Sequence, residues 1–256
     1  MKRLLLLLSL LMGIVYCIET NFLLLSAKHI KLELPGPYSE QVFWSHFNSD
    51  NLRFFPVVFF SRDEVIEKIE REIPVYFNII IHSLKEIYVS ARPLNVWIVL
   101  VQKGTHWYLS EDGRIWDGKS VASNFIYGDL VQAGVPVWHL NENFPIPIDG
   151  IEEKGRSVFR SALPLDSLKQ WVDEIEKNSW GAPINKVKFG RKAGSYSFVI
   201  EVKWKKRLVS ILLDEDTQRW PIISRALPKV MKDLPEGNEM VEIDTTYGDK
   251  IVVRTL

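Results

Sequence analysis

The segment Gly113-Arg114-Ile115-Trp116-Asp117-Gly118-Lys119-Ser120 has the residue types and spacing of a Walker A phosphate loop. Ile211-Leu212-Leu213-Asp214-Glu215 resembles a Walker B strand. Taken as strings, the two describe a nucleotide hydrolase. The local chemistry points elsewhere. A phosphate loop is a nest of free backbone N–H groups that opens a helix. Here Ile115 and Trp116 are bulky strand formers in the middle of the string. Ser110-Glu111-Asp112-Gly113 lies between Trp107-Tyr108-Leu109 and Arg114-Ile115-Trp116, which is the pattern of a β-hairpin. The expectation is two Asp-Gly turns around a short strand, with no catalytic residue and no cofactor.

Other reactive constellations are missing from the sequence. His29, His46, His82, His106 and His139 are widely spaced and form no paired-helix motif, so no metal site is expected. No Gly-x-Ser-x-Gly elbow occurs. The carboxylate clusters Glu111-Asp112, Glu152-Glu153 and Asp214-Glu215-Asp216 fall at turns, where adjacent carboxylates are normally solvated. Cys17 is the single cysteine, which excludes an internal disulfide and a zinc site built from several thiolates. Lys plus Arg and Asp plus Glu both number 32, so the formal net charge is zero. Binding to a phosphate backbone rests on excess positive charge, so nucleic acid is not the expected partner. Neither is a small-molecule substrate. The basic groups Lys186, Lys188, Arg191, Lys192 and Lys203, Lys205, Lys206, Arg207 fall at strand ends and turns and read as solvated hairpin loops. Nine tryptophans leave open a wall-binding protein that stacks on sugars, although Trp97, Trp171 and Trp204 also suit a core.

The elements that would position these residues begin with Met1-Lys2-Arg3 and an uncharged run from Leu4 to Ile18. A basic start and a long apolar run read as a membrane-targeting segment. As a helix it would span about 22 Å, or about 33 Å if continued to Leu25. The expectation is an uncleaved single-pass anchor over residues 1–25, with cleavage after Cys17 or acylation of Cys17 as the alternatives. Each places the bulk of the chain outside the cytoplasm.

The rest reads as α+β. Ala27–Leu34 alternates as a strand. Ser39 to Phe47 and Ser61 to Ile73 read as helices, the second closed by Pro74. Glu86–Ala91 and Leu94–Val101 are strand-like and separated by Arg92-Pro93. This predicts a βααββ module over residues 26–101. Residues 102–256 then read as a β-rich domain, with a mainly antiparallel sheet and two packed helices. Leu165–Lys177 is the first helix, with Leu165, Leu168, Trp171, Val172 and Ile175 on one stripe. Trp220–Leu234 is the second. Strands are expected over Ile184–Phe189, Tyr196–Lys203, Leu208–Leu213, Met240–Ile243 and Lys250–Arg254, and Val121–Pro147 reads as loop.

The order of these segments resembles the FtsQ/DivIB family of bacterial cell-division proteins. Ile30-Lys31-Leu32-Glu33-Leu34-Pro35-Gly36 looks like the first strand and glycine of that family's POTRA module. Arg92-Pro93-Leu94-Asn95-Val96-Trp97-Ile98-Val99 resembles the signature that closes it, and Trp107–Trp116 resembles the hairpin that follows. Val241–Tyr247 and Lys250–Arg254 look like the family's last strands. The resemblance implies a non-catalytic divisome scaffold at the inner membrane, anchored by its N-terminal helix and located at the septum. Its implied partners are FtsB/DivIC-like and FtsL-like proteins, one of which adds a strand to a C-terminal sheet edge. The implied contact residues are Thr246, Tyr247, Lys250, Ile251, Val252, Val253 and Arg254. Tyr247 would serve as an aromatic anchor and Arg254 as a pair for a partner carboxylate.

Overall fold

The computed structural model describes residues 7–17, 29–47, 55–83, 86–119, 134–146, 148–149, 156–177, 182–192, 194–234 and 237–256. The chain divides into two compact units, Met1–Leu94 with Glu153–Val158, and Asn95–Glu152 with Phe159–Leu256.

Residues 7–17 are helical. Among the described residues no helix is long and apolar enough to cross a membrane. The expected single-pass transmembrane helix over residues 1–25 is therefore corrected. The inner-membrane placement that rested on it is corrected with it. Residues 1–6 and 18–28 lie outside the described residues.

The first unit is built as β1 (His29–Glu33), α1 (Gly36–His46), α2 (Phe55–Glu72), β2 (Val75–Ser83) and β3 (Glu86–Pro93). Its sheet has the order β1-β3-β2. β1 runs parallel to β3, and β2 runs antiparallel to β3. The βααββ order is the expected one, but the strands are not all the expected strands. Val75–Ser83, directly after Pro74, is β2, and the Leu94–Val101 run does not close this sheet. The unit ends at Leu94, ahead of the Val101–Lys103 division read from the sequence. Alternation explains β2. Val75, Phe77 and Ile79 are buried, while Tyr76, Asn78 and Ile80 are exposed. Val65 and Ile69 of α2, Ile73 just after it, and Phe43 and Phe47 near the end of α1 are buried as well, and α2 lies against β2. Phe43 stacks on Phe77 with ring centroids 5.8 Å apart.

The second unit contains β4 (Ile98–Gln102), β5 (Thr105–Leu109), β6 (Arg114–Asp117), β7 (Val137–Leu140), β8 (Ile148–Asp149), β9 (Val158–Ser161), α3 (Leu165–Glu176), β10 (Ile184–Lys192), β11 (Ser195–Trp204), β12 (Arg207–Asp214), α4 (Trp220–Lys232), β13 (Val241–Asp244) and β14 (Val252–Thr255). The strands form one sheet of 11, in the order β14-β13-β12-β11-β10-β7-β4-β5-β6-β9-β8. Most neighbours are antiparallel. β7 is parallel to both β4 and β10, and β12 is parallel to β13. β7 lies inside Val121–Pro147, the stretch read as loop.

One face of the sheet is covered by α3 and α4. Leu168, Trp171, Val172 and Ile175 of α3 are buried, at helical spacing. Trp220, Ile223, Leu227 and Met231 do the same for α4. Phe198 of β11 is the centre of this core. Its ring lies 5.3 Å from Trp138, 5.2 Å from Trp171, 5.0 Å from Phe189 and 5.3 Å from Trp220. Such contacts add to the burial of apolar area itself. Phe198→Ala is expected to cost about 3–5 kcal/mol, and Phe198→Leu less, read as a fall in the denaturant midpoint of the second unit.

Candidate functional site

The Walker A-like string forms a hairpin arm. Its middle residues are β6, and Ile115, Trp116 and Asp117 pair with Leu109, Tyr108 and Trp107 of β5. Their backbone groups belong to a ladder and do not form a phosphate nest. Gly113 has φ of 84°, a left-handed conformation that suits glycine, and a Cβ there would come within 2.7 Å of Leu165 Cδ1. The glycine thus serves the turn and the packing of the start of α3. The Lys119 backbone N–H donates to Asp117 Oδ1 at 2.7 Å. Ser120 lies outside the described residues. The nucleotide reading finds no support in this geometry.

Asp112 organises the same turn. It accepts hydrogen bonds from Ser110 Oγ, from the Arg114 backbone N–H at 3.1 Å and from Arg114 Nε at 2.7 Å. Burial pushes the Asp112 carboxyl up, but the Ser110 and Arg114 donors outweigh it, and the pKa lies below the ordinary 3.8.

The Walker B-like string also has a structural role. Trp220 Nε1 donates to the Asp214 carbonyl at 3.0 Å, and Trp171 Nε1 donates to the Glu215 carbonyl at 3.2 Å. The Asp214 carboxylate takes Arg219 Nη1 at 2.9 Å. Arg219 Nη2 donates to the carbonyls of Thr245 at 3.0 Å and Tyr247 at 2.5 Å. One guanidinium therefore joins the end of β12 to the loop between β13 and β14. Neither Asp214 nor Arg219 had been read as part of the site. The sequence marks Asp214 only through the Walker B-like string and the Asp214-Glu215-Asp216 cluster, which reads as solvated, and gives no signal for Arg219.

The residues implied as partner contacts come together at this end of the sheet. β14 is its terminal strand, paired on one side with β13. The Leu256 N–H donates to the Met240 carbonyl at 2.9 Å, so residues 252, 254 and 256 face β13. Val253 and Thr255 then turn their N–H and C=O groups to the open edge. Val253 is 44% exposed and Tyr247 is 41% exposed. Ile251 packs against the core, and Val252 is half-buried. Thr246 Oγ1 and its N–H both donate to Asp244 Oδ1, at 2.7 Å and 3.0 Å. Lys250 Nζ lies over the Tyr247 ring, 5.4 Å from its centroid.

Arg254 departs from its expected part. Its Nη1 bonds Glu242 Oε1 at 2.9 Å, its Nη2 lies 3.7 Å from Asp244 Oδ2, and a longer contact of 3.4 Å reaches the Tyr247 hydroxyl. Glu242 is its direct cross-strand partner. The pairing is therefore made within the chain. Beside the hairpin, α4 and the loop enclose a groove of about 350 Å³ lined by Ile222, Ile223, Ala226, Tyr247 and Ile251.

Among the described residues no group of three His, Cys, Asp or Glu is placed to hold a metal ion. The tryptophans are largely committed to the interior. Trp116, Trp138, Trp171 and Trp220 are buried, and Trp97, Trp107 and Trp204 pack against the core of the second unit. Trp44 is exposed. No protein-family model matches the chain, and no curated protein matches it.

Two outcomes follow from the geometry. Because the Asp112 pKa is depressed on folding, its contribution is complete above the ordinary 3.8 and is lost as pH falls through the folded-state value. Asp112→Asn is expected to cost about 1–3 kcal/mol at neutral pH. Urea midpoints should show the gap to wild type closing in acid. Arg219→Ala should speed amide hydrogen exchange of Val252 and Arg254, whose N–H groups face β13, by at least about tenfold while amides of β10 and β11 keep their protection.

Proposed function

We propose that this chain is a non-catalytic scaffold of the bacterial divisome, of the FtsQ/DivIB kind. In this reading it takes up a β-strand from an FtsB/DivIC-type partner acting with an FtsL-type protein. The observation that carries the reading is the open edge of β14. Val253 and Thr255 point backbone donors and acceptors outward, in a strand that β13 and Arg219 hold in place. An added strand gains main-chain hydrogen bonds from such an edge, and its alternate side chains meet the neighbours of β14. On one face these neighbours are Val253 and the apolar groove lined by Ile222 and Tyr247. On the other they are Arg254 and its carboxylate partners. The βααββ order of the first unit supports the same class, as does the resemblance carried by Arg92–Val99 and Trp107–Trp116.

The edge geometry decides which substitution tests the reading. Proline at Val252 removes an N–H that faces β13 and so damages the hairpin itself. Proline at Val253 removes an N–H that faces outward. Val253→Pro is expected to abolish co-purification of the FtsB/DivIC-type partner while the thermal unfolding midpoint stays within a few degrees of wild type. Depletion in the native cell should give filaments that lack septa. Undiminished partner capture by a folded Val253→Pro chain would overturn the strand-addition reading, and normal septa on depletion would overturn the divisome assignment.

A further inference from the structure

The described residues contain two sheets and four sheet edges: β1 and β2 in the first unit, β14 and β8 in the second. Open edges invite pairing, and proteins normally guard them with charge, proline or brevity. β1 carries Lys31 and Glu33, with Lys31 held to Glu86 at 2.6 Å. β8 is two residues long and includes Asp149. β14 carries Arg254. Within its own residues β2 has none of these protections. Its nine residues, Val-Tyr-Phe-Asn-Ile-Ile-Ile-His-Ser, include no Asp, Glu, Lys, Arg or Pro.

The direction of its backbone groups is set by two hydrogen bonds. The Pro74 carbonyl accepts the Leu94 N–H at 2.8 Å, so even-numbered residues face β3. The Phe77 N–H instead donates to Glu70 Oε1 at 2.8 Å. Odd-numbered residues therefore face away from β3, and the Glu70 carboxylate covers this edge at Phe77. Ile79 and Ile81 remain, with outward N–H and C=O groups that no described residue engages. Ile80, between them, is 39% exposed.

We propose that β2 pairs antiparallel with β2 of a second copy of this chain, about a two-fold axis at Ile80. Ile79 of each copy then bonds to Ile81 of the other, and the ladder ends before Phe77, whose N–H Glu70 holds. The absence of charge favours a second copy as the occupant. A self-paired strand sets every charged residue near its own like, and β2 has no such residue to oppose. The faces also agree. Residues directly opposite in an antiparallel pair share a face, so Ile79 and Ile81 of one copy extend the buried side of the other. The two Ile80 side chains meet on the exposed side as a non-hydrogen-bonded pair, the closest approach that a ladder offers. This surface is separate from the β14 edge and does not rest on the divisome reading.

Sedimentation of the full-length chain over a micromolar to submillimolar series tests the pairing. Wild type is expected to show a reversible monomer–dimer equilibrium. Ile80→Lys sets two ammonium groups opposite each other and should weaken the dimer at least about tenfold. Val253→Pro should leave it unchanged, which separates this edge from β14. In a Cys17→Ser background, Ile80→Cys should form a disulfide-linked dimer on mild oxidation. Asn78→Cys, which would face His82 and not itself, should not. A chain that stays monomeric throughout the series, or a dimer indifferent to Ile80→Lys, would overturn the proposal. So would failure of Ile80→Cys to cross-link.

Discussion

Two indole N–H groups and one guanidinium converge where β12 ends, and the second unit is tied together there. Trp220 and Trp171 donate to the carbonyls of Asp214 and Glu215. These bonds tie both helices to the same turn, and both indoles meet the ring of Phe198 edge to face. A buried indole N–H is costly to leave unpaired, so these two bonds couple the positions of the two helices to the strand end that supplies the carbonyls. Asp214 adds the third connection through its carboxylate. Arg219 spans from that carboxylate to the loop after β13. The terminal hairpin is therefore held by the same few atoms that seat the helices.

That arrangement bears on how an edge strand is used. A β-strand has two sides, and β14 uses one of them for β13. Its own charged side chain is neutralised within the hairpin by Glu242 and Asp244. What is left outward is mainly backbone and Val253. A partner recognised through such an edge gains most from main-chain hydrogen bonds and shape, and less from a new ion pair at Arg254. β2 presents the other variant, an uncharged edge covered at one point by Glu70 and open beyond it. The contrast between the two edges lies in side-chain charge, because their backbone groups are chemically alike.

Periodicity made much of the secondary structure legible. The stripe Leu168, Trp171, Val172, Ile175 identifies α3 without reference to any other part of the chain, and the apolar, strand-forming runs of β10, β11 and β12 do the same for that antiparallel run. The hairpin through Gly113 was readable from its turn residues, which is why the Walker-like string could be set aside. β7 was not readable. Its four residues sit between Pro136 and Asn141, and its neighbours β4 and β10 are distant in the sequence. Short parallel strands obtain their stability from partners, so their own residues carry little signal. The apolar start of the chain misled in the opposite direction. Its composition suggested a span, but among the described residues no helix is long and apolar enough to cross a membrane.

Local chemistry alone therefore accounts for the helices with apolar stripes, the long hairpins, the neutral charge balance and the lack of a thiol-based metal site. Those properties depend on neighbours within a few turns of chain or on counting. The division at Leu94, the insertion of β7 between β4 and β10, and the assignment of β14 as an open edge came from lateral pairing between distant segments. The same is true of Arg219, whose three partners lie at Asp214, Thr245 and Tyr247. Only strand register decides which carboxylate meets Arg254 and which backbone groups stay unpaired, because a shift of one residue would turn every side chain to the other face.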